Sequence, residues 1–467
     1  MKKKTKILSV LLSGIMVFSA PAVCGAEEEN ASGQDDILEV KILSSDASKD
    51  AVMKELISNY NETIGKEEGI QLNYECTSDI RTILELGMEN DDLPLLCDDI
   101  GNNLTYENGG YLIPYAKLPG GQELVDEWER KTFPYSRYNK MPGSDDIYHL
   151  TYSASGAGIY YNKDMFKEAG IVDENGEAKA PSTWEEFLED CKILTNGTTY
   201  GAALAMQWGG FSEYGVMYNS TNSIDGSVIE IDWDNLTANF QCQEAFETIA
   251  EVYKNGYCVP GAETIDNDPA RSYFSEGIAG MFLGYSWDIG VFTTQYPVDF
   301  DWGVFTIAAD DGTNYGSRLG AGLFYCPTAA ALDLSETDQE KLMSVLNWLY
   351  GDEVGIALVE AGLLFPANTE FIEKADLGKL PVQAEFFMDQ IKTGYVETRV
   401  DDMWYNVSFD GEYGVDGPGT ALINNLLLEL CKGDITIDEL TDTVNEKFTE
   451  ALKAKVDDGT IDPDSWK

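Results

Sequence analysis

Short strand patterns and amphipathic helices take turns along the first hundred residues, and this alternation constrains the fold more than any other feature of the chain. Leu38-Glu39-Val40-Lys41-Ile42-Leu43 alternates apolar and polar residues and reads as a strand. A helix with apolar residues at Val52, Leu56 and Ile57 follows. Then come a second strand at 71–74, a helix over 80–88, and an apolar run at 93–97 read as a third, buried strand. Strands alternating with helices form βαβ units around a mostly parallel sheet. Ligands of such sheets sit beyond the carboxyl ends of the strands. The residues just after each strand therefore carry the functional weight: Ser45 and Asp46, then Asp98, Asp99 and Asn102, then Tyr152, Ser153 and Ser155.

Two further stretches set the middle of the chain. Gly158-Ile159-Tyr160-Tyr161-Asn162-Lys163-Asp164-Met165-Phe166 reads as a strand running into a short helix. Pro181-Ser182-Thr183-Trp184-Glu185-Glu186-Phe187 opens a second helix, capped by Ser182 or Thr183 with Glu185 or Glu186 completing a capping box. Trp184, Phe187, Leu188, Cys191 and Leu194 share one face of it, which assigns Trp184 to a core. Asp173-Glu174-Asn175-Gly176 is a turn, since a calcium loop would need further ligands and a distal bidentate Glu. Strands are expected at 202–206, 279–283, 301–306 and 319–326, and helices over 339–350, 422–431 and 437–456.

Composition narrows the class. The chain has 467 residues and a formal net charge of −51. Its first 26 residues hold Lys2, Lys3, Lys4 and Lys6 but no acid, so the remainder is more acidic still. Such a surface repels nucleic acid and anionic lipid and favours solubility. Lys2 to Lys6 followed by an apolar stretch at 7–20 has the form of a secretion signal. Two processing routes fit: cleavage after Ala26, or acylation of Cys24 as the first mature residue of a lipoprotein. Residues 27–37 are read as a disordered acidic tether. The remaining length suits two domains. The eight cysteines show no zinc spacing, and one bridge, Cys242 to Cys258, is a candidate. His149, the single histidine, lies in an apolar pattern and does not suggest a nucleophile system. No cofactor and no metal site are expected.

These blocks together resemble the extracellular solute-binding proteins of bacterial ABC importers, in the sugar-binding group that includes maltose-binding protein. Tyr161 to Asp164, Gly170 and Pro181 to Glu186 meet one family pattern. Phe274, Gly277, Met281, Gly284 and Trp287 meet a second. The acidic loop from Asp98 to Leu112 and the segment Gly433 to Leu440 meet two more. The resemblance implies an α/β fold of the two-lobed periplasmic-binding-protein type (type II), each lobe a mostly parallel sheet flanked by helices. Residues 38–150 with 305–343 would form lobe 1, and 154–302 with 346–467 lobe 2. Hinges would lie near 151–154, 303–305 and 341–346. It also implies an exported monomer that delivers a solute to permease subunits and catalyses nothing.

A sugar site needs carboxylates and amides for bidentate hydrogen bonds and flat aromatics for C–H faces. The candidate contacts are Asp46, Asp98, Asp99, Asn102, Tyr152, Ser155, Trp208, Phe211, Trp287, Asp288 and Trp404. An inserted Gly- and Asp-rich loop at 408–419 departs from the family pattern. Two other readings stand beside this one. The same fold could bind a polyamine, a peptide or an osmolyte. A secreted glycoside hydrolase would need two carboxylates flanking the bond.

Overall fold

A computed structural model describes residues 37–467, apart from 48, 78, 99–105, 108, 133–145, 151, 209–228, 310–311, 313–316, 320–324, 364, 394–418, 460 and 467. The signal, the tether up to residue 36, Asp99, Asn102, Phe211 and Trp404 lie outside the described residues.

The first sheet has the order β11-β3-β1-β2. It comprises β1 (Leu38–Ser44), β2 (Ile70–Cys76), β3 (Leu96–Cys97) and β11 (Cys326–Pro327). β1 runs parallel to β2, with Leu38 opposite Ile70 and Ser44 opposite Cys76, and parallel to β3. β11 closes the edge antiparallel to β3. Val40 and Ile42 enter one core with Met53, Leu56 and Ile57 of the helix Asp50–Glu62, while Leu43 turns into the cluster on the opposite face. That is the period of two expected of a strand.

The second sheet is built around β4 (Ser153–Asn162). It has the order β10-β4-β8-β5, and β9 and β12 also pair with β4. Here β5 is Tyr200–Ala203, β8 Ala279–Tyr285, β9 Trp302–Phe305, β10 Ser317–Leu319 and β12 Phe365–Pro366. A separate hairpin joins β6 (Ile229–Asp232) to β7 (Thr237–Phe240). β4 is antiparallel to β8, β9, β10 and β12, and only β5 with β8 is parallel. The expectation of a mostly parallel sheet therefore holds for the first sheet and fails for the second. The second half of β4 is buried on both faces: Ala157, Ile159 and Tyr161 face one core and Tyr160 the other. A strand buried on both faces gives no sequence signal of its direction.

The expected strand 319–326 is also divided. Its start pairs with β4, and its end, at Cys326, pairs with Cys97 of the first sheet. The helix Glu336–Leu349 presents Leu342, Val345, Leu346 and Leu349 to the first core as one stripe, past the boundary expected at 343–346. The chain next touches the second core at Phe365 of β12, returns to the first at Phe371, and rejoins the second at Leu380 and Ala384.

The recognisable motifs are structural. Asn162 Oδ1 accepts from Met165 N at 2.9 Å and caps the helix Lys163–Glu168. Thr183 Oγ1 accepts from Glu186 N at 3.1 Å, and Glu186 Oε2 accepts from Ser182 N at 2.8 Å. The capping box thus closes one residue further out than a simple pair, and the Ser182 contacts and Lys179 hold the Glu186 carboxyl down at about 2. Trp184, Phe187, Cys191 and Leu194 are buried as expected. The segment from Gly433 ends in a second capping box, Thr436 with Glu439, at the head of the helix Ile437–Asp457.

One buried acid was not anticipated. Asp190 lies on the helix Trp184–Leu194, and burial, with Glu186 nearby, lifts its carboxyl to about 6. A raised acid binds more protons folded than unfolded, so its contribution falls as pH climbs from its ordinary 3.8 to about 6. Asp190→Asn should raise Tm by about 2–4 °C at pH 7.5, for roughly 1 kcal/mol. At pH 3.8 it should change little. Equal Tm changes at both pH values would contradict this. Neither Cys242 nor Cys258 takes part in a disulfide.

Candidate functional site

At the carboxyl ends of β1 and β3 the chain presents the residues that the strand pattern picks out, but it uses them differently. Asp98 is 2% exposed. Its Oδ2 accepts from Ser44 Oγ at 2.5 Å, and its Oδ1 accepts from Ser45 N at 3.0 Å and Ser45 Oγ at 3.3 Å. Both oxygens are thus engaged in fixing the turn after β1. Asp98, expected as a ligand contact, is thus a buried carboxylate that already serves Ser44 and Ser45. Asp46, beyond that turn, is partly exposed and pairs with the buried Lys49 at 2.5 Å. It is the one described acid of this group that still reaches the surface.

Tyr152, a second expected contact, is also buried. Its side chain is fully buried and its hydroxyl donates to Leu349 O at 2.8 Å. Trp128, Tyr350 and Phe371 pack around its ring. These partners come from remote segments, so no local pattern could show the burial. Ser155 sits in β4 opposite Arg318 of β10. His149 is buried, with Nε2 3.2 Å from Glu107 Oε1 and Nδ1 3.6 Å from Cys326 Sγ. Burial pushes its pKa down to about 4, which keeps the ring neutral.

At the ends of β5 and β8 an aromatic cluster forms. Trp287 stacks on Tyr285 with ring centroids 4.3 Å apart and planes 16° apart. Trp208 meets Tyr285 edge-on at 6.1 Å and 80°. Tyr285 is buried, whereas both tryptophans are partly exposed. Tyr285 was missed, although its spacing of two from Trp287 at a strand end would have signalled a shared face. Beneath the cluster, Tyr160 donates its hydroxyl to Tyr285 O at 2.6 Å, and Asn424 Nδ2 donates to Trp208 O at 3.0 Å.

Asp288 is not a surface carboxylate. It is 1% exposed, and its Oδ2 accepts from Tyr285 N at 2.9 Å. Its Oδ1 lies 2.8 Å from Arg271 Nε and 2.7 Å from Nη2. Burial pushes the Asp288 carboxyl up and Arg271 beside it pulls it back. Arg271 also reaches Asp268 at 2.9 Å. The glycines of this motif now have reasons. Gly277 takes a φ of +69° to end the helix Asn267–Ser275, and a Cβ at Gly284 would lie 2.6 Å from Asp288 Oδ2.

The site therefore offers one partly exposed acid on the first sheet and a flat, partly exposed aromatic surface on the second. Among the described residues no group of three acids, cysteines or histidines could hold a metal ion.

Residues 45–356 match the family described as bacterial extracellular solute-binding protein. The sn-glycerol-3-phosphate-binding periplasmic protein UgpB of Brucella melitensis is 22% identical over 370 residues, covering 77% of this chain and 75% of the relative. Among solved structures, the chain is similar to an ABC transporter solute-binding protein from Thermotoga lettingae bound with alpha-D-tagatose. The TM-score is 0.68 at 17% identity, over 90% of this chain and all of that one. The sugar-binding protein MalE of Xanthomonas citri gives 0.65 at 16% identity, over 91% of this chain and all of that one.

Proposed function

The chain belongs to the bacterial extracellular solute-binding proteins, and from that premise we propose that it captures a carbohydrate, an oligosaccharide, and delivers it to the permease of an ABC importer without turning it over. The observation that carries this reading is the aromatic surface of Trp208, Tyr285 and Trp287. A pyranose presents an apolar C–H face and a rim of hydroxyls, and a partly exposed indole backed by a second ring suits that face. Asp46, Asp99, Asn102, Phe211 and Trp404 supply the remaining contacts in this reading. The similar structures lend support, because one is bound with alpha-D-tagatose and the other is the sugar-binding protein MalE.

The lobes follow the two sheets. In this reading lobe 1 is built from 38–152 with 325–377, except for Phe365 of β12, which packs and pairs with the second sheet, and lobe 2 from 153–319 with 380–461. A ligand shifts the lobes toward closure only by binding the closed form more tightly than the open one. The protein acts as a monomer exported by its N-terminal signal; acyl labelling of Cys24 would mark a lipid anchor, and a mature chain starting at Glu27 would mark cleavage after Ala26.

The test is a thermal-shift and calorimetric screen with maltotriose, raffinose, D-tagatose, sn-glycerol 3-phosphate, spermidine and a tripeptide. One or more sugars should raise the midpoint in proportion to log concentration and emerge chemically unchanged. A response to sn-glycerol 3-phosphate alone would move the ligand to the chemistry named for UgpB. A response to spermidine or the peptide alone, or hydrolysis of the sugar, would overturn the proposal.

A further inference from the structure

The turn that presents Trp287 is held from below by a charged pair whose worth to stability is small. Arg271 is on the helix Asn267–Ser275, its side chain 13% exposed, and it donates two nitrogens to Asp288 Oδ1. Asp288 in turn holds Tyr285 N through its other oxygen. The neighbouring amide, Ser286 N, donates to Gly156 O of β4 at 2.8 Å, and Tyr285 O is taken by the Tyr160 hydroxyl. The backbone of Tyr285 and Ser286 is thereby fixed on three sides: by Arg271 and Asp288, by Tyr160, and by Gly156. The stacking of Trp287 on Tyr285 follows from that fixed turn.

A buried ion pair is a weak source of stability, because desolvation offsets most of the attraction. Its geometric effect is larger. Two guanidinium nitrogens hold Oδ1 while Oδ2 accepts from Tyr285 N, so the carboxylate is anchored at both oxygens between Arg271 and the turn. We infer that Arg271 and Asp288 are positioning residues for ligand binding: they touch no solute, and they set the angle and rigidity of the aromatic surface. This role rests on the proposal that Trp287 contacts a carbohydrate. Gly284 belongs to the same device, since any side chain there would displace Asp288 Oδ2.

A double-mutant cycle separates positioning from general support. Arg271→Met, Arg271→Lys, Trp287→Ala and the double variant Arg271→Met/Trp287→Ala are compared well below each Tm, with folding checked by far-ultraviolet circular dichroism. Against the sugar that binds the wild type most tightly in the screen, Arg271→Met should weaken Kd about tenfold. In the Trp287→Ala background the same change should do almost nothing. Arg271→Lys should restore the charge and the Tm but only part of the affinity. Equal losses with and without Trp287 would overturn the inference. The unliganded protein supplies a second readout. Arg271→Met should lose the near-ultraviolet signal of the Tyr285–Trp287 stack while remaining folded, and an unchanged spectrum would also overturn the inference. Because that spectrum needs no ligand, it decides whether Arg271 and Asp288 fix the aromatic stack even if every sugar fails and the carbohydrate proposal falls.

Discussion

Replacing Trp287 with Ala is expected to weaken carbohydrate binding roughly 30- to 150-fold. The estimate takes about 2–3 kcal/mol for an aromatic anchor in a binding site. The residue is partly exposed, and its ring stacks on Tyr285. Its removal therefore deletes the surface offered to the sugar and leaves little cavity. Tm should fall by only a few degrees, about 1 kcal/mol of lost packing. Trp287→Phe should recover most of the affinity, because a smaller ring still covers a C–H face. Calorimetry on the three proteins checks this. Kd values within a factor of two of one another would remove Trp287 from the site.

Asp98→Ala should act in the opposite sense, severe for the fold and indirect for the ligand. The carboxylate receives the hydroxyl of buried Ser44 and both donors of Ser45. Its loss takes away the acceptor of the buried Ser44 hydroxyl, whose oxygen still accepts from Asp46 N, and unties the turn that leads to Asp46. A broken buried charge-assisted network costs about 2–3 kcal/mol, which lowers Tm by roughly 4–12 °C. Asp98→Asn keeps one acceptor oxygen and should cost about half as much. Chemical denaturation with both variants measures it. A variant with wild-type stability and abolished binding would return Asp98 to the role of ligand contact.

The contrast between these two residues shows what the sequence made legible. Asp98 and Trp287 were picked by one rule, position after a strand. The rule placed both correctly at strand ends. It could not tell an acid turned inward from a ring turned outward, because that depends on Ser44 Oγ and on Arg271, neither of which carries a pattern. Local signals did well wherever the physics is local. The cap at Thr183, the core face of Trp184 and the box at Thr436 with Glu439 all involve residues within one helical turn. The direction of β8 against β4 and the burial of Tyr152 were illegible for the converse reason. Both are decided by segments more than a hundred residues apart. The stretch 319–326 failed for a third reason. Two strand ends in different sheets share one apolar run.

The inward turn of Asp98 and Asp288 also bears on how such a protein changes over generations. Its conspicuous strand-end acids are tied to the scaffold, so substituting them is penalised whatever the solute. Selection for a new solute therefore works mainly on the rings and on the loops beside them. A lineage can exchange one nutrient for another by drift in those few positions while its framework stays fixed. The framework is then inherited as a chassis, and diet is recorded in its trim.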